Sequence, residues 1–228
     1  MKIVVLITAA GSSERMCGAN KIFSLIAGKP TIMHSIEAFE KAAKTNAVIV
    51  SVTNDKLPLL KSLCVSYNIK KVIKIVSGGE TRQESVWKML CETENNFDFI
   101  AIHDGARPLI SQEDINLIFE KCIQYPEGLI ASEKAKDTIK IIDENGKITK
   151  TPQRKKLRLA QTPQIFESVI IKKAYEEAAK SDFTATDDSS LVEKLGKSVQ
   201  TIETKYPNPK ITYNEDLLYC EVLINGRK

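Results

Sequence analysis

"KIVVLITAAGSSERMCGANK" (residues 2–21) runs from an unbroken apolar stretch into a loop of small residues that carries Arg15 and Lys21. Its first part, "KIVVLITA" (2–9), is the β-branched run of a strand buried on both faces, as in a parallel sheet. Ile32, Ile36, Phe39 and Ala43 then recur at helical spacing, and "AVIVSV" (47–52) returns to strand. The alternation continues. Leu60, Cys64 and Tyr67 mark a second helix, "KVIKIV" (71–76) a third strand, Val86, Met89 and Leu90 a third helix, and "FDFIAI" (97–102) a fourth strand. Ser111, with Asp114 three residues on, reads as a capping box ahead of a helix through Ile115, Ile118, Phe119 and Cys122. This pattern predicts an α/β fold: a mostly parallel sheet covered by helices on both faces, with ligands at the carboxyl ends of its strands.

Between residues 134 and 156 the rhythm breaks. "DTIKIIDENGKITKT" (137–151) is two strand-like runs around Asn145-Gly146, a hairpin signal that predicts a type I′ turn with positive φ at both central residues. The segment has too little apolar material to stand alone and reads as a β-arm projecting from the sheet. An exposed hairpin invites pairing with a second copy, so a homodimer is expected. Helices follow at 167–180 and 188–195, the latter ended by Gly196, then a strand at 199–203 and a last helix capped by Asn214. With no linker or internal repeat, residues 1–228 are expected to form a single domain with 134–156 as an inserted arm.

Composition excludes several classes. With 43% hydrophobic and 27% charged residues the chain is an ordinary globular protein, and no apolar stretch approaches the roughly 20 residues of a membrane span. Together with the lack of a signal-peptide pattern, this predicts a cytoplasmic protein with no membrane partner. The net charge of +4 is mixed along the chain, which argues against nucleic acid as a partner. The five cysteines are odd in number and never form a CxxC pair, which fits reduced thiols; three sit in helical apolar patterns.

Candidate chemistry sits in the loops after strands. Gly11 and Gly18 allow close approach of backbone N–H groups to a phosphate, while Arg15 and Lys21 supply a bidentate and a mobile cation. Neither GxGxxG nor Walker A is present, so a phosphate cradle and an ordinary surface turn both remain open. "VSGGETRQESV" (76–86) follows the third strand and "AIHDGARP" (101–108) the fourth. Asp104 is placed either to hold Mg²⁺, which takes one or two carboxylates and completes its shell with phosphates and water, or to cap a local turn. His34 and His103, the only histidines, are read as packing or surface residues.

"AAG…RM.G..K" (Ala9 to Lys21), "GGETRQESV" (78–86), "HDGARP" (103–108), "DTIK" (137–140), "R…QTPQ.F" (Arg154, then 161–166), "TDDSSLVE" (186–193) and "KIT..EDL" (210–217) occur in that order. Together they resemble the 2-C-methyl-D-erythritol 4-phosphate cytidylyltransferases, over nearly the whole chain. The resemblance implies a Rossmann-like sheet flanked by helices, with a projecting β-hairpin arm for dimerisation. It implies transfer of a cytidylyl group from CTP to methylerythritol phosphate, with release of pyrophosphate, in non-mevalonate isoprenoid synthesis. By the same resemblance Arg15, Lys21 and Lys210 handle the triphosphate, and Asp104 holds Mg²⁺. Ala9, Ala10, Gly11, Gly79, Glu80 and Ser85 line the nucleotide site. Arg107, Thr162 and Lys210 face methylerythritol phosphate, and Thr138 and Arg154 reach it from the partner's arm.

The chain departs from the family pattern at several positions. Ser13 stands at the usual second glycine, Ile22 follows Lys21 where glutamine is common, Glu80 replaces a frequent aspartate, Pro209 an apolar residue and Arg158 a frequent tryptophan. None removes a phosphate-handling cation. Two rivals are a ribitol-5-phosphate cytidylyltransferase, which shares most motifs, and a catalytically silent nucleotide-binding regulator. Lys21, Asp104 and Lys210 together argue against the second.

Overall fold

A computed structural model describes residues 1–11, 21–181 and 183–226. The elements in chain order are β1 (Ile3–Ala9), β2 (Leu25–Ile26), β3 (Lys29–Pro30), α1 (Thr31–Lys41), β4 (Thr45–Val52), α2 (Leu57–Ser66), β5 (Val72–Ser77), α3 (Arg82–Cys91) and β6 (Phe99–Asp104). There follow α4 (Gln112–Lys121), β7 (Leu129–Lys134), β8 (Ile141–Ile142), β9 (Ile148–Lys150), β10 (Arg158–Glu167), α5 (Ser168–Ser181), α6 (Asp188–Lys194), β11 (Gln200–Glu203) and α7 (Asn214–Gly226).

Among the described residues seven strands form the main sheet, in the order β11-β7-β10-β6-β1-β4-β5. All neighbours are parallel except β10, which runs antiparallel to both β6 and β7. β1 lies between β6 and β4, and its side chains divide strictly by parity. Ile3, Val5 and Ile7 join Ile32, Phe39, Leu60 and Phe119 in a core on one face. Val4 and Leu6 join Val86, Met89, Ile171 and Leu191 on the other. The chain moves outward from β1 through β4 to β5, then returns past both to place β6 on the far side of β1. Right-handed crossovers therefore put α1 and α2 on one face and α3 on the other. The reversal opens a crevice at the carboxyl ends of β1 and β6, where loops leave in different directions.

The strands and helices expected from periodicity are all present, with three local differences. Helix α1 stops at Lys41, and Ala42 rather than Ala43 takes the buried position. At the arm only Gly146 has positive φ, +78°, so the turn is not type I′. Gly146 N–H donates to Asp143 O and Asp143 N–H to Lys147 O, while the Asp143 carboxylate accepts from the N–H groups of Asn145 and Lys147. That is a type I turn closed by a left-handed glycine, favoured because Asp143 satisfies the turn's donors from its own side chain. At α7 the cap comes from Asp216, whose carboxylate accepts from Thr212 and Tyr213 N–H at 2.7 and 2.8 Å. Cys64, Cys122 and Cys220 are buried and Cys91 is exposed.

Strands β7 and β10 and the small β2–β3 hairpin were not apparent from the sequence. In β10, Arg158, Gln161, Pro163 and Gln164 interrupt any apolar alternation, and the strand is defined by the neighbours on either side. The Ser111 half of the box forms as expected, with Asp114 N–H donating to the Ser111 hydroxyl at 3.0 Å, while the Asp114 carboxylate accepts from that hydroxyl in place of Ser111 N–H. Asp114 does more: its buried carboxylate accepts from the N–H groups of Lys205 and Tyr206, anchoring the segment that follows β11. Asp114→Ala is expected to destabilise the fold by about 2–4 kcal/mol, the sum of the hydrogen bonds its carboxylate accepts from Ser111, Lys205 and Tyr206. The urea midpoint measures it, and a change below about 0.5 kcal/mol contradicts this anchoring role.

Candidate active site

The carboxyl ends of β1, β5 and β6, with the segment ahead of α7, enclose a cavity of about 250 Å³. Ala9, Ala10 and Gly11 leave β1 along one wall, and Gly79, Glu80 and Ser85 form the facing one. The two glycines after β5 are needed for close approach. A Cβ on Gly78 would lie 2.2 Å from the Ala10 Cβ, and one on Gly79 2.3 Å from the Glu84 Cβ. The loop is then fixed by α3's first turn: the Glu84 carboxylate accepts from Glu80 N–H at 2.8 Å, and the Ser85 hydroxyl accepts from Gly79 N–H at 3.0 Å. Ser85 in turn donates to Thr81 O, so its hydroxyl shapes the wall from within.

Asp104, the last residue of β6, stands at the floor with its side chain 8% exposed. Arg82 Nε donates to Oδ1 at 2.9 Å, Lys210 Nζ meets Oδ2 at 2.8 Å, and Arg107 Nε lies 3.6 Å from Oδ2. Burial alone would raise this carboxyl's pKa, but Arg82, Lys210 and Arg107 hold it well below the usual carboxylate range. Arg82 also grips the fully buried Asp188 with both terminal nitrogens, at 3.0 and 2.7 Å, and the Tyr175 hydroxyl donates to Asp188 at 2.5 Å. Burial works against the Arg82 charge, and Asp188 and Asp104 outweigh it, so the guanidinium is held firmly charged.

Lys210 is aimed by its neighbours. Ile211 N–H donates to Ala106 O at 2.8 Å, Arg107 Nη1 donates to Asn208 O at 2.7 Å, and Asn208 Nδ2 donates to Thr162 O at 2.8 Å. Behind Asp104 sits His103, fully buried, with Nε2 3.1 Å from Arg107 O and Nδ1 3.1 Å from the Thr162 hydroxyl. Burial pushes this imidazole from its ordinary 6.5 down to about 4.

The structure therefore gathers Ala9, Ala10, Gly11, Lys21, Gly79, Glu80, Ser85, Asp104 and Lys210 around one cavity. Arg15, like Ser13, Cys17 and Gly18, lies outside the described residues. Arg107 and Thr162 are buried, at 9% and 4% exposure, tied into the floor around Asp104 rather than lining the cavity. Thr138 and Arg154 are exposed in the arm, away from this wall, with Arg154 Nη1 donating to Lys136 O. Sequence reading gave no role to Arg82, Asp188, Tyr175 or Asn208, and it read His103 as a packing or surface residue, of which the structure shows the buried alternative. Arg82 and Asp188 lay within the quoted motifs, but nothing in one dimension paired them across 106 residues.

A family model described as 2-C-methyl-D-erythritol 4-phosphate cytidylyltransferase matches residues 3–226. The chain belongs to this family. It is 37% identical over 230 residues to the 2-C-methyl-D-erythritol 4-phosphate cytidylyltransferase of Alkaliphilus metalliredigens, covering 100% of this chain and 95% of the relative. To that of Dehalococcoides mccartyi it is 40% identical over 235 residues, covering 98% and 96%. Among solved structures, the 4-diphosphocytidyl-2C-methyl-D-erythritol synthase of Anaerococcus prevotii superposes with a TM-score of 0.88 at 27% identity, covering 98% of this chain and 96% of that one. The Thermus thermophilus cytidylyltransferase gives 0.79 at 27%, covering 99% and 100%. In this cytidylyltransferase no helix among the described residues is long and apolar enough to cross a membrane.

The His103 environment carries a pH signature. The folded imidazole binds its proton less readily than the unfolded one, so this group leaves stability unchanged above pH about 6.5 and lowers it as pH falls from there toward 4. His103→Gln is expected to flatten that part of the profile, read from denaturant midpoints between pH 4 and 7.5. Parallel profiles for the two proteins would place the acid sensitivity elsewhere.

Proposed function

We propose that this cytidylyltransferase joins CTP to 2-C-methyl-D-erythritol 4-phosphate in this cavity, releasing pyrophosphate, in isoprenoid biosynthesis. The observation that carries the reading is the ionised Asp104 flanked by Lys210 and Arg82 at the carboxyl end of β6, opposite the small-residue wall. A phosphate oxygen of methylerythritol phosphate attacks the α-phosphorus of CTP. The bond from that phosphorus to the bridging oxygen breaks, and pyrophosphate leaves. The nucleophile is already anionic near neutral pH, so no general base is needed. The protein's work is positioning and stabilising charge on the reacting phosphate.

Lys21 and Lys210 flank the α-phosphate, and Arg15 grips the triphosphate. Ala9, Ala10, Gly11, Gly79, Glu80 and Ser85 line the nucleotide pocket, where a tight wall suits a pyrimidine. Arg107 and Thr162 serve the methylerythritol phosphate end, as residues that shape the floor around Asp104. Among the described residues no three His, Cys, Asp or Glu side chains converge. A single carboxylate fits Mg²⁺, which draws further ligands from phosphates and water. Asp104 would hold it, and the ion would neutralise phosphate charge during transfer.

The arm supports a homodimer in which Thr138 and Arg154 act on the partner's site. Ile141, Ile142 and Ile148 are exposed on a two-stranded hairpin that has no core of its own, and Leu218 and Val222 are exposed on α7. The reaction is tested by pyrophosphate release with methylerythritol and ribitol phosphates, each crossed with CTP, UTP and ATP. Turnover of ribitol phosphate alone would overturn the assigned acceptor.

Lys21→Ala is expected to lower kcat by about 10²- to 10³-fold with folding intact, the scale for one preorganised donor to a developing charge. A purified variant within a few-fold of wild type would remove Lys21 from the transfer step. For the arm, Lys21→Ala and Arg154→Ala subunits are each expected to be poor alone but to complement when mixed. Random exchange makes half the dimers mixed, so about a quarter of all sites regain both residues. Activity no greater than the mean of the separate variants, with exchange verified by mass spectrometry, means Arg154 serves its own subunit.

A further inference from the structure

We propose that His103 is a positioning residue for the transfer reaction, acting as its Nε2–H tautomer to take the Thr162 hydroxyl proton and so lock the backbone of Asp104. The inference rests on the reading of the cavity as the cytidylyl-transfer site.

The need for such a lock comes from how β10 ends its pairing with β6. Register runs from Glu167↔Phe99 to Gln164↔Ile102. The next β6 residue to turn its N–H toward β10 is Asp104, opposite Thr162, and there the Thr162 carbonyl accepts from Asn208 Nδ2 instead, so the ladder does not continue to the end of β6. On the other side β1 still pairs with Asp104 through Thr8. Asp104 thus reaches the cavity with one flank of its strand unladdered. The Thr162 hydroxyl fills that place, accepting from Asp104 N–H at 3.0 Å.

The direction of the remaining hydrogen bonds follows from what each group can do. The Arg107 carbonyl beside Nε2 can only accept, so Nε2 carries a proton. The Thr162 hydroxyl already accepts from Asp104 N–H, and Nδ1 is the acceptor within reach of its proton, so Nδ1 is bare. Thr162 has one hydroxyl proton, and at 3.1 Å it goes to Nδ1. The hydroxyl's lone pairs are thereby turned toward Asp104 N–H. The ring itself is held edge-on to Phe39, with centroids 5.0 Å apart, and Ser35 donates to Gly105 O and Arg107 O at 3.1 and 3.3 Å, fixing the turn that Nε2 addresses. His103 touches no reacting atom; it aims Asp104 through Thr162.

The test separates the two ring nitrogens. Asn places an oxygen near the Nδ1 position and keeps an acceptor for Thr162, whereas Gln reaches the Nε2 position, keeps a donor for Arg107 O and loses that acceptor. His103→Gln is expected to lower kcat by about 10²-fold, the effect of a misplacement near 1 Å, with KM for CTP within about threefold. His103→Asn should recover kcat to within about tenfold of wild type. A purely structural role predicts that rates follow thermal stability, whichever bond is kept, and equal kcat for the two variants overturns the proposal.

Should His103→Gln fail to fold, Thr162→Ser and Thr162→Val carry the same comparison, Ser retaining the relay and Val deleting it at nearly constant volume. Val close to Ser in kcat overturns the proposal. In the double variant His103→Gln/Thr162→Val the losses should not multiply, because both break one relay; multiplied losses overturn it. Nitrogen-15 NMR of the wild-type protein, with His34→Gln for assignment, reads the tautomer without any assay. A protonated Nδ1 at neutral pH defeats the proposal even in an active enzyme. Wild-type protein that forms no pyrophosphate while showing the Nε2–H tautomer defeats the functional reading and, with it, the role assigned to His103.

Discussion

The Asp104 carboxylate, buried among Arg82, Arg107 and Lys210, is the interaction on which the rest of the site depends. A lone carboxylate at that depth would lose its charge, and unpaired guanidinium groups would not be buried at all. With Asp188 added, the floor holds two carboxylates against three cations, while Glu80 and Lys21, one of each sign, stand on the cavity wall nearby. The surplus is positive and faces an opening lined by backbone and small side chains. A polyphosphate is the ligand class that such a surplus attracts, because each of its oxygens can neutralise charge the protein leaves uncompensated.

The three cations are not equivalent. Arg82 is gripped by Asp188 through two nitrogens and by Asp104 through a third, and Tyr175 holds Asp188 from behind. Arg107 is 9% exposed and tied to Asn208. Lys210 is 40% exposed, and its ammonium rests on Asp104 at the end of a flexible stem. Planar, clamped guanidinium groups set the field of the site, while an ammonium can follow a phosphate through the displacement. The same division explains why the segment carrying Lys210 is stitched down at its backbone, through Ile211 N–H and the Asn208 carbonyl, and left loose at its side chain.

Much of the fold was legible because one rule decides it. A strand buried on both faces, as β1 is, must be followed by a crossover, and the β-branched runs at 47–52 and 71–76 repeat the signal. β10 was not legible because its existence depends on β6 and β7 being already in place; its own residues carry glutamines and a proline where alternation is expected. The arm's position could be read from Asn145-Gly146, but its turn type could not, since the Asp143 side chain selects it through two hydrogen bonds. The cavity walls were visible as small-residue loops after strands. The partnerships beneath them were not, because Arg82 meets Asp188 and Thr162 meets His103 only after the sheet is assembled.

These hidden partners share a physical task. Every strand that delivers a catalytic group must stop pairing at some point, and where pairing stops the backbone gains freedom. At the end of β5 the side chains of Ser85 and Glu84 take the N–H groups of Gly79 and Glu80. At the end of β6 the Thr162 hydroxyl takes that of Asp104. In both places a side chain continues what the ladder began, within two residues of the last strand-to-strand bond. Precision at the cavity therefore comes from side chains whose polar atoms are engaged by backbone N–H groups at the strand ends. That is why residues such as Glu84, Thr162 and His103 belong to the reaction's geometry although substrate-facing chemistry alone would not single them out.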